Sequence, residues 1–469
     1  MNIEQIYTGC LAQGAYYIES EGEVAIIDPL REVKPYIEKA KKNNACIKYI
    51  FETHFHADFV SGHVTLSKET KAPIVYGPLA APSFEAIIAK DNQVFQLGAV
   101  TITVLHTPGH TMESSVYLLK NEEGKEHAIF TGDTLFLGDV GRPDLAQNST
   151  VTQEDLAGYL YTSLRTKIMP LPNDVIVYPA HGAGSACGKN LSKETVDTLG
   201  NQKEKNYALS TTMSKEEFVK EVIKDLLPPP SYFPLNVKMN KEGYDDFKDV
   251  LKRSYQAYTP TDFEVIANKT AAVVLDVRHQ DDFSKGHIPN AIFIGLDGSF
   301  APWVGALIAD VKQPILLVCP TGREEETIKR LSRVGFDNVL GYLEGGFVNW
   351  KNNAKEYDTI ASVRAEEAKN LIETSAIPIF DVRKKGEYLS EHIIKAIHTP
   401  LDYINDYLAE FPVKNTFYIH CASGYRSVVA ASILKSRGIH NLVDIKGGFK
   451  GLKKEGVVMS AYVCPSTLK

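Results

Sequence analysis

Thr53-His54-Phe55-His56-Ala57-Asp58-Phe59 is the stretch on which the fold turns. It follows an apolar run at 47–51 that reads as a short buried strand ending at Glu52. His54, His56 and Asp58 occupy alternate positions of the loop, so their side chains can converge on one point. Alone, a His-x-His-x-Asp segment is equally compatible with packed or surface histidines. Three further stations decide the matter. Thr107-Pro108-Gly109-His110 follows a strand expected at 100–105, Phe130-Thr131-Gly132-Asp133 closes one at 128–131, and Tyr178-Pro179-Ala180-His181-Gly182 closes one at 175–178. Four strand-end loops, each with His or Asp beside Gly or Pro, are hard to explain by packing, and such loops are where function concentrates.

The elements between these stations are short. Residues 15–19 and 24–27, split by Ser20-Glu21-Gly22-Glu23, read as a β-hairpin. Residues 33–42 have helical character and stop at Asn43-Asn44, and further strands are expected at 73–76 and 115–119. Strands first, with helices between, point to an α/β sandwich rather than a doubly wound sheet.

The ordered set of four loops resembles the metallo-β-lactamase superfamily over roughly residues 1–240. That resemblance implies an αββα sandwich with a metal at the edge between its sheets. Dinuclear zinc hydrolases of the superfamily, such as glyoxalase II, carry His-x-His-x-Asp-His. Here Phe59 stands in the last place, which leaves Asp58 and His181 for a second metal position, and a single metal is expected. The persulfide dioxygenase branch holds one Fe(II) per chain, and its ligands map onto His54, His110 and Asp133. Two imidazoles and one carboxylate on one face leave open positions for O₂ and substrate, and no Cys₄-type set is present to close a structural site. His56, Asp58 and His181 then orient ligands or substrate. Gly141-Arg142-Pro143-Asp144-Leu145 is similar to a Gly-Arg-x-Asp segment of that branch. Arg142 is thereby a candidate for the carboxylate or phosphate of a thiol carrier, or else a loop brace. Cys187, six residues beyond His181 in a glycine-rich loop, is a candidate to line the site or receive sulfur; the alternative is a buried inert thiol.

Leu227-Pro228-Pro229-Pro230-Ser231-Tyr232-Phe233-Pro234 excludes helix and central strand, because consecutive prolines offer no N–H donors. It reads as an arm that closes a first domain, 1–258, and is available to another subunit. Beyond it the sequence repeats. Leu275-Asp276-Val277-Arg278 recurs as Phe380-Asp381-Val382-Arg383, Gly286-His287-Ile288 as Glu391-His392-Ile393, and Gly345-Gly346-Phe347 as Gly447-Gly448-Phe449. These landmarks, with Cys319 and Cys421 in register, define two copies of one small α/β domain with a largely parallel sheet, at 259–357 and 358–469.

Ile419-His420-Cys421-Ala422-Ser423-Gly424-Tyr425-Arg426-Ser427 puts a cysteine between a buried strand and a helix. A short loop there aims backbone N–H groups inward, and the helix N-terminus adds partial positive charge, so thiolate or persulfide is favoured. This copy resembles a rhodanese sulfurtransferase domain, which implies Cys421 as the sulfur-carrying catalytic residue and Arg426 as fixed charge for an oxyanion. A phosphatase-like use is disfavoured, since those loops are a residue longer. The first copy reads Cys319-Pro320-Thr321-Gly322-Arg323-Glu324-Glu325-Glu326. Glu324 replaces the arginine and Pro320 deletes an N–H, so this domain is expected to be degenerate, with carboxylates opposing a thiolate.

Composition agrees. A chain of 469 residues, at ~150 per domain, holds two to four domains. A net charge of −7 spread along the chain excludes the basic face of a nucleic-acid binder and gives no membrane-surface signal. No stretch reaches the ~18 apolar residues of a membrane span. The opening MNIEQIYTGC has neither a basic nor an apolar leader segment, and six scattered cysteines lack a Cys-x-x-Cys pair, so a reduced cytoplasmic location is expected.

The whole chain resembles fusions of a persulfide dioxygenase with a degenerate and then an active rhodanese domain. The resemblance implies Fe(II)-dependent oxidation of a small thiol persulfide by O₂ to sulfite, then sulfur transfer from a Cys421 persulfide to sulfite, giving thiosulfate. A homodimer or homotetramer is expected. Two other readings stand beside it: a dinuclear zinc thioester hydrolase of the glyoxalase II type, and a sulfur carrier with a vestigial metal site.

Overall fold

Alternate residues of the strand Gln13–Ser20 serve two cores. Tyr16 and Ile18 pack with Phe51, Val104 and Phe130, whereas Ala15 and Tyr17 pack with Tyr36 and Ala40 of the helix Lys34–Lys42. A strand covered on both faces by apolar side chains needs another layer on each side, and the chain supplies a second sheet inside and a helix outside. The computed structural model describes residues 1–147, 149–189, 191–374 and 377–464. They fall into two units, Met1–Val250 with Lys329–Phe336, and Leu251–Ile328 with Asp337–Lys469.

In the first unit, one six-stranded sheet runs in chain order through Asn2–Thr8, Gln13–Ser20, Glu23–Ile27, Cys46–Phe51, Ile74–Tyr76 and Ile87–Ile88. The second places Asp197–Thr198, Ile176–Pro179, Glu126–Gly132, Ser115–Lys120, Val100–His106 and Val94–Leu97 side by side. Ala128 and Phe130 face the inter-sheet core, while Ile129 between them joins Leu160 of the helix Gln153–Ser163 in the outer core. The layers are therefore helix, sheet, sheet, helix. The hairpin read at 15–27 is present, with Tyr16 opposite Ile27 and Ser20 opposite Glu23. The edge strand Asn2–Thr8 escaped the sequence reading because it is only partly covered and half polar.

The proline arm departs from expectation at its end. Phe233–Glu242 is a helix with Pro234 in its first turn, where a missing N–H costs nothing. Tyr232 and Phe233 are buried within their own unit, so this end of the arm is not free for another subunit.

The second unit contains two five-stranded sheets of one topology. Their orders are Ala257–Tyr258, Val339–Leu343, Ile315–Val318, Val273–Asp276, Ile292–Phe293, and Ser362–Arg364, Leu442–Lys446, Phe417–His420, Ile379–Asp381, Ala396–His398, with neighbouring strands parallel. The repeated Asp-Val-Arg is a brace. Arg278 meets Asp276 at 2.6 Å and the Gly286 carbonyl at 2.8 Å, and Arg383 meets Asp381 at 2.6 Å and the Glu391 carbonyl at 2.9 Å. Among the described residues, no helix is long and apolar enough to cross a membrane.

Candidate metal centre and thiol loops

His54, His110 and Asp133 come together, one from each of three strand-end loops, and all are buried. Close approach of two loops depends on Gly132, at φ +51°, because a Cβ there would lie 2.6 Å from the Thr53 side chain. The hydrogen bonds around the imidazoles fix their tautomers. Thr53 Oγ1 donates to Asp28 Oδ2 at 2.8 Å, so its oxygen is left to accept from His54 Nδ1 at 3.0 Å. His110 Nδ1 donates to the Arg142 carbonyl at 2.8 Å. Both rings are thereby oriented through Nδ1, which leaves Nε2 for the centre. Burial, with His56 beside it, holds the His54 imidazole well below its usual range and hence neutral.

Asp133 completes the set. Its Oδ1 accepts from His181 Nδ1 at 2.9 Å, while Oδ2 has no hydrogen-bond partner. That bare oxygen lies 3.9 Å from His54 Nε2 and 3.5 Å from His110 Nε2. Burial opposes ionisation of Asp133, but the charged His181 beside it holds its carboxyl well below the usual range. Two imidazole nitrogens and one carboxylate oxygen, facing each other from three buried residues, fit a divalent transition metal.

His181 bridges to a second cluster. Its Nε2 is 2.9 Å from Asp58 Oδ2, and Asp58, His181 and Cys187 form a group of mutually close donors. Burial works against a charged His181, yet Asp133 and Asp58 raise it well above its usual range. The sequence reading left Asp58 and His181 for a second metal position; the structure adds Cys187, through a loop that folds back six residues later. Burial, then the Asp58 and Asp133 carboxylates, push the Cys187 thiol far up, so its surroundings favour thiol over thiolate. Phe59 is buried and packs on His56, with ring centroids 4.4 Å apart.

His56 belongs to a third group, with Asp28 and Glu52. Asp28 stands at the end of Glu23–Ile27 before a proline, the same strand-end pattern as the other stations, and was missed. Asn240 gave no signal at all in the sequence. From the helix Phe233–Glu242 its amide donates to the His56 and Phe59 carbonyls, both at 2.8 Å, and accepts from Ser61 N–H at 2.9 Å.

Arg142, read as a candidate carrier-binding residue, is used otherwise. Its Nε and Nη2 each meet Asp144 at 2.7 Å, and Nη2 also reaches the Leu227 carbonyl at 2.6 Å. The guanidinium braces the loop, and it is the Arg142 carbonyl that touches the metal centre.

In the second copy, Gly424 N–H donates to Cys421 Sγ at 3.1 Å, and the helix Tyr425–Ser436 begins one residue later. Gly424 is at φ +114°, which turns that N–H toward the sulfur. Arg426 does not stand open. Its two terminal nitrogens meet Glu387 at 2.6 and 2.9 Å. The first copy spends the matching group differently, since Gly322 N–H donates to Glu324 Oε1 at 3.2 Å. Cys319 Sγ meets the Thr327 hydroxyl at 3.5 Å, and burial together with Glu324 pushes its thiol up to about 12.

Residues 8–181 match the metallo-beta-lactamase superfamily. A crystal structure of a metallo-beta-lactamase from Staphylococcus aureus subsp. aureus COL is 30% identical and superposes with a TM-score of 0.65, covering 73% of this chain and 98% of that one. The chain belongs to the metallo-beta-lactamase superfamily. It also carries two rhodanese-like domains, matched at 259–353 and 364–455. Within the superfamily it is similar to a probable hydroxyacylglutathione hydrolase of Schizosaccharomyces pombe, 32% identical over 188 residues, or 39% of this chain and 69% of that protein. It is also similar to the mitochondrial persulfide dioxygenase ETHE1 of Homo sapiens, 30% identical over 221 residues, or 46% of this chain and 78% of that protein.

Proposed function

We propose that this chain oxidises the persulfide of a small thiol to sulfite with O₂, and converts sulfite to thiosulfate at Cys421. The observation that carries the reading is the cluster of His54 Nε2, His110 Nε2 and Asp133 Oδ2, with His56 turned to a different group. A single Fe(II) held there would supply open positions at which O₂ and a persulfide sulfur meet. The protein's own share is orientation. Thr53 and the Arg142 carbonyl fix the two imidazoles, His181 holds Asp133 by one oxygen so that the other stays free, and the buried walls exclude water. The balance is RSSH + O₂ + H₂O → RSH + SO₃²⁻ + 2 H⁺.

The second step belongs to the loop at Cys421. Gly424 N–H stabilises negative charge on the sulfur that carries the transferred atom. The Cys421 thiolate takes the outer sulfur of a second small-thiol persulfide, whose thiol leaves; sulfite then attacks that sulfur, the S–S bond breaks, and the thiolate returns with thiosulfate as product. Similarity to human persulfide dioxygenase and the rhodanese-like domains support this reading.

Similarity to hydroxyacylglutathione hydrolases supports a second reading, thioester hydrolysis at paired metals, with Asp58, His181 and Cys187 as the second donor group. Phe59 in place of a histidine weighs against it. The persulfides of glutathione, coenzyme A, bacillithiol and cysteine, each offered in an O₂ electrode, separate the two. Uptake with at least one of them, and a product that changes from thiosulfate to sulfite in Cys421→Ser while uptake persists, is the expected result. Absence of uptake with all four contradicts the proposal.

A further inference from the structure

Behind the metal loop lies a buried cluster of side chains, Asp28, Glu52 and His56, that the proposed reaction leaves unused. Asp28 closes the strand Glu23–Ile27 and Glu52 closes Cys46–Phe51, and both carboxylates face His56. His56 Nε2 is 3.1 Å from Asp28 Oδ1 and 3.6 Å from Glu52 Oε2. Each carboxylate is itself anchored. Asp28 accepts from the Thr53 N–H and hydroxyl, both at 2.8 Å, and Glu52 Oε1 accepts from Ser61 Oγ at 2.6 Å. The other oxygen, Glu52 Oε2, is buried without a hydrogen-bond partner and is aimed at His56.

His56 is close to the metal centre without belonging to its donor group. Its ring centroid is 4.2 Å from that of His54, and neither Nδ1 nor Nε2 has a hydrogen-bond partner. On the far side its ring packs on Phe59, and its carbonyl is held by Asn240. An imidazole packed against a ligand imidazole would ordinarily be available as a third ligand. What distinguishes it is orientation: Nε2 is turned toward the Asp28 and Glu52 side chains, 3.1 and 3.6 Å away.

We propose that Glu52, acting with Asp28, withholds His56 from the metal centre and so fixes the centre at two imidazoles and one carboxylate. Glu52 is then a positioning residue that decides which metal the site prefers, because a third imidazole moves a site toward the nitrogen-rich, four-coordinate sets that suit zinc. The inference rests on the single-metal reading above, but its test does not depend on which metal the protein carries when isolated.

The full chain is stripped of metal and loaded with Co(II) alone. Histidine ligands are counted by X-ray absorption, and Zn(II) and Fe(II) are then competed at equal concentration. Wild type is expected to show two imidazoles. Glu52→Gln, which keeps the shape and the Ser61 contact, is expected to show three, with preference for Zn(II) over Fe(II) raised about tenfold or more. Ser61→Ala, which frees Glu52 without removing it, is expected to move the same way by less, and it serves if the glutamine variant does not fold. Three imidazoles in wild type would overturn the inference. So would two in both variants, including the case in which each metal binds about 10–100-fold more weakly and equally so, since Glu52 would then only brace the loop. Zinc in freshly isolated wild type with two imidazoles would defeat the proposed oxidation and leave this inference standing.

Discussion

His181 Nδ1 lies 2.9 Å from Asp133 Oδ1, on the opposite side of the carboxylate from the oxygen that faces His54 and His110. One hydrogen bond thus decides which oxygen of Asp133 is available. His181→Ala should loosen the carboxylate and lower metal affinity about 10–100-fold, measured by competition with a chelator. Excess metal should recover part of the lost turnover. Unchanged affinity would show that His181 has no hold on the centre.

The two thiol loops differ in where one backbone N–H points, to sulfur at Gly424 and to Glu324 at Gly322. Thiosulfate-to-cyanide sulfur transfer should therefore vanish in Cys421→Ser and stay within about twofold of wild type in Cys319→Ser. Equal losses in the two variants would mean that the first copy is active.

Arg426 is paired with Glu387, so an incoming anion competes with a carboxylate for the guanidinium. Glu387→Gln should lower KM for thiosulfate by about fivefold, the scale of a partly exposed ion pair. Steady-state kinetics at low ionic strength reads it, and an increase in KM would show that Glu387 instead holds Arg426 in its binding position.

Asp444 is buried in the strand Leu442–Lys446, and burial pushes its carboxyl up to about 7 despite the Ser427 hydroxyl. The folded protein keeps this proton where the unfolded chain, at about 4, has released it. Stability is therefore lost as pH rises from about 4 to 7 and levels off above, at about 1.4 kcal/mol for each unit of separation. Asp444→Asn removes this loss. Its gain in melting temperature over wild type should be larger at pH 8 than at pH 5, and an equal gain at both would refute the assignment.

Much of this was legible in the sequence. His54, His110 and Asp133 could be found because each follows a strand and stands beside glycine or proline, and the paired Asp-Val-Arg segments exposed the duplication. What escaped was set by distance along the chain. Asn240 reaches the His56 loop from 184 residues away, and no local pattern marks an amide that caps a remote backbone. Cys187 joined Asp58 only through a loop whose path depends on tertiary packing. For Arg142 the sequence left a carrier ligand and a loop brace both open, and Asp144, two residues on in the same motif, takes its guanidinium.

Metal content per chain, determined on protein purified without oxygen and followed by assays in air and under argon, bears most directly on the proposed oxidation. The expected result is one iron per chain and one sulfite or thiosulfate formed for each O₂ consumed, with no persulfide oxidation under argon. Two zinc ions per chain, together with thioester hydrolysis that proceeds equally well under argon, would contradict it.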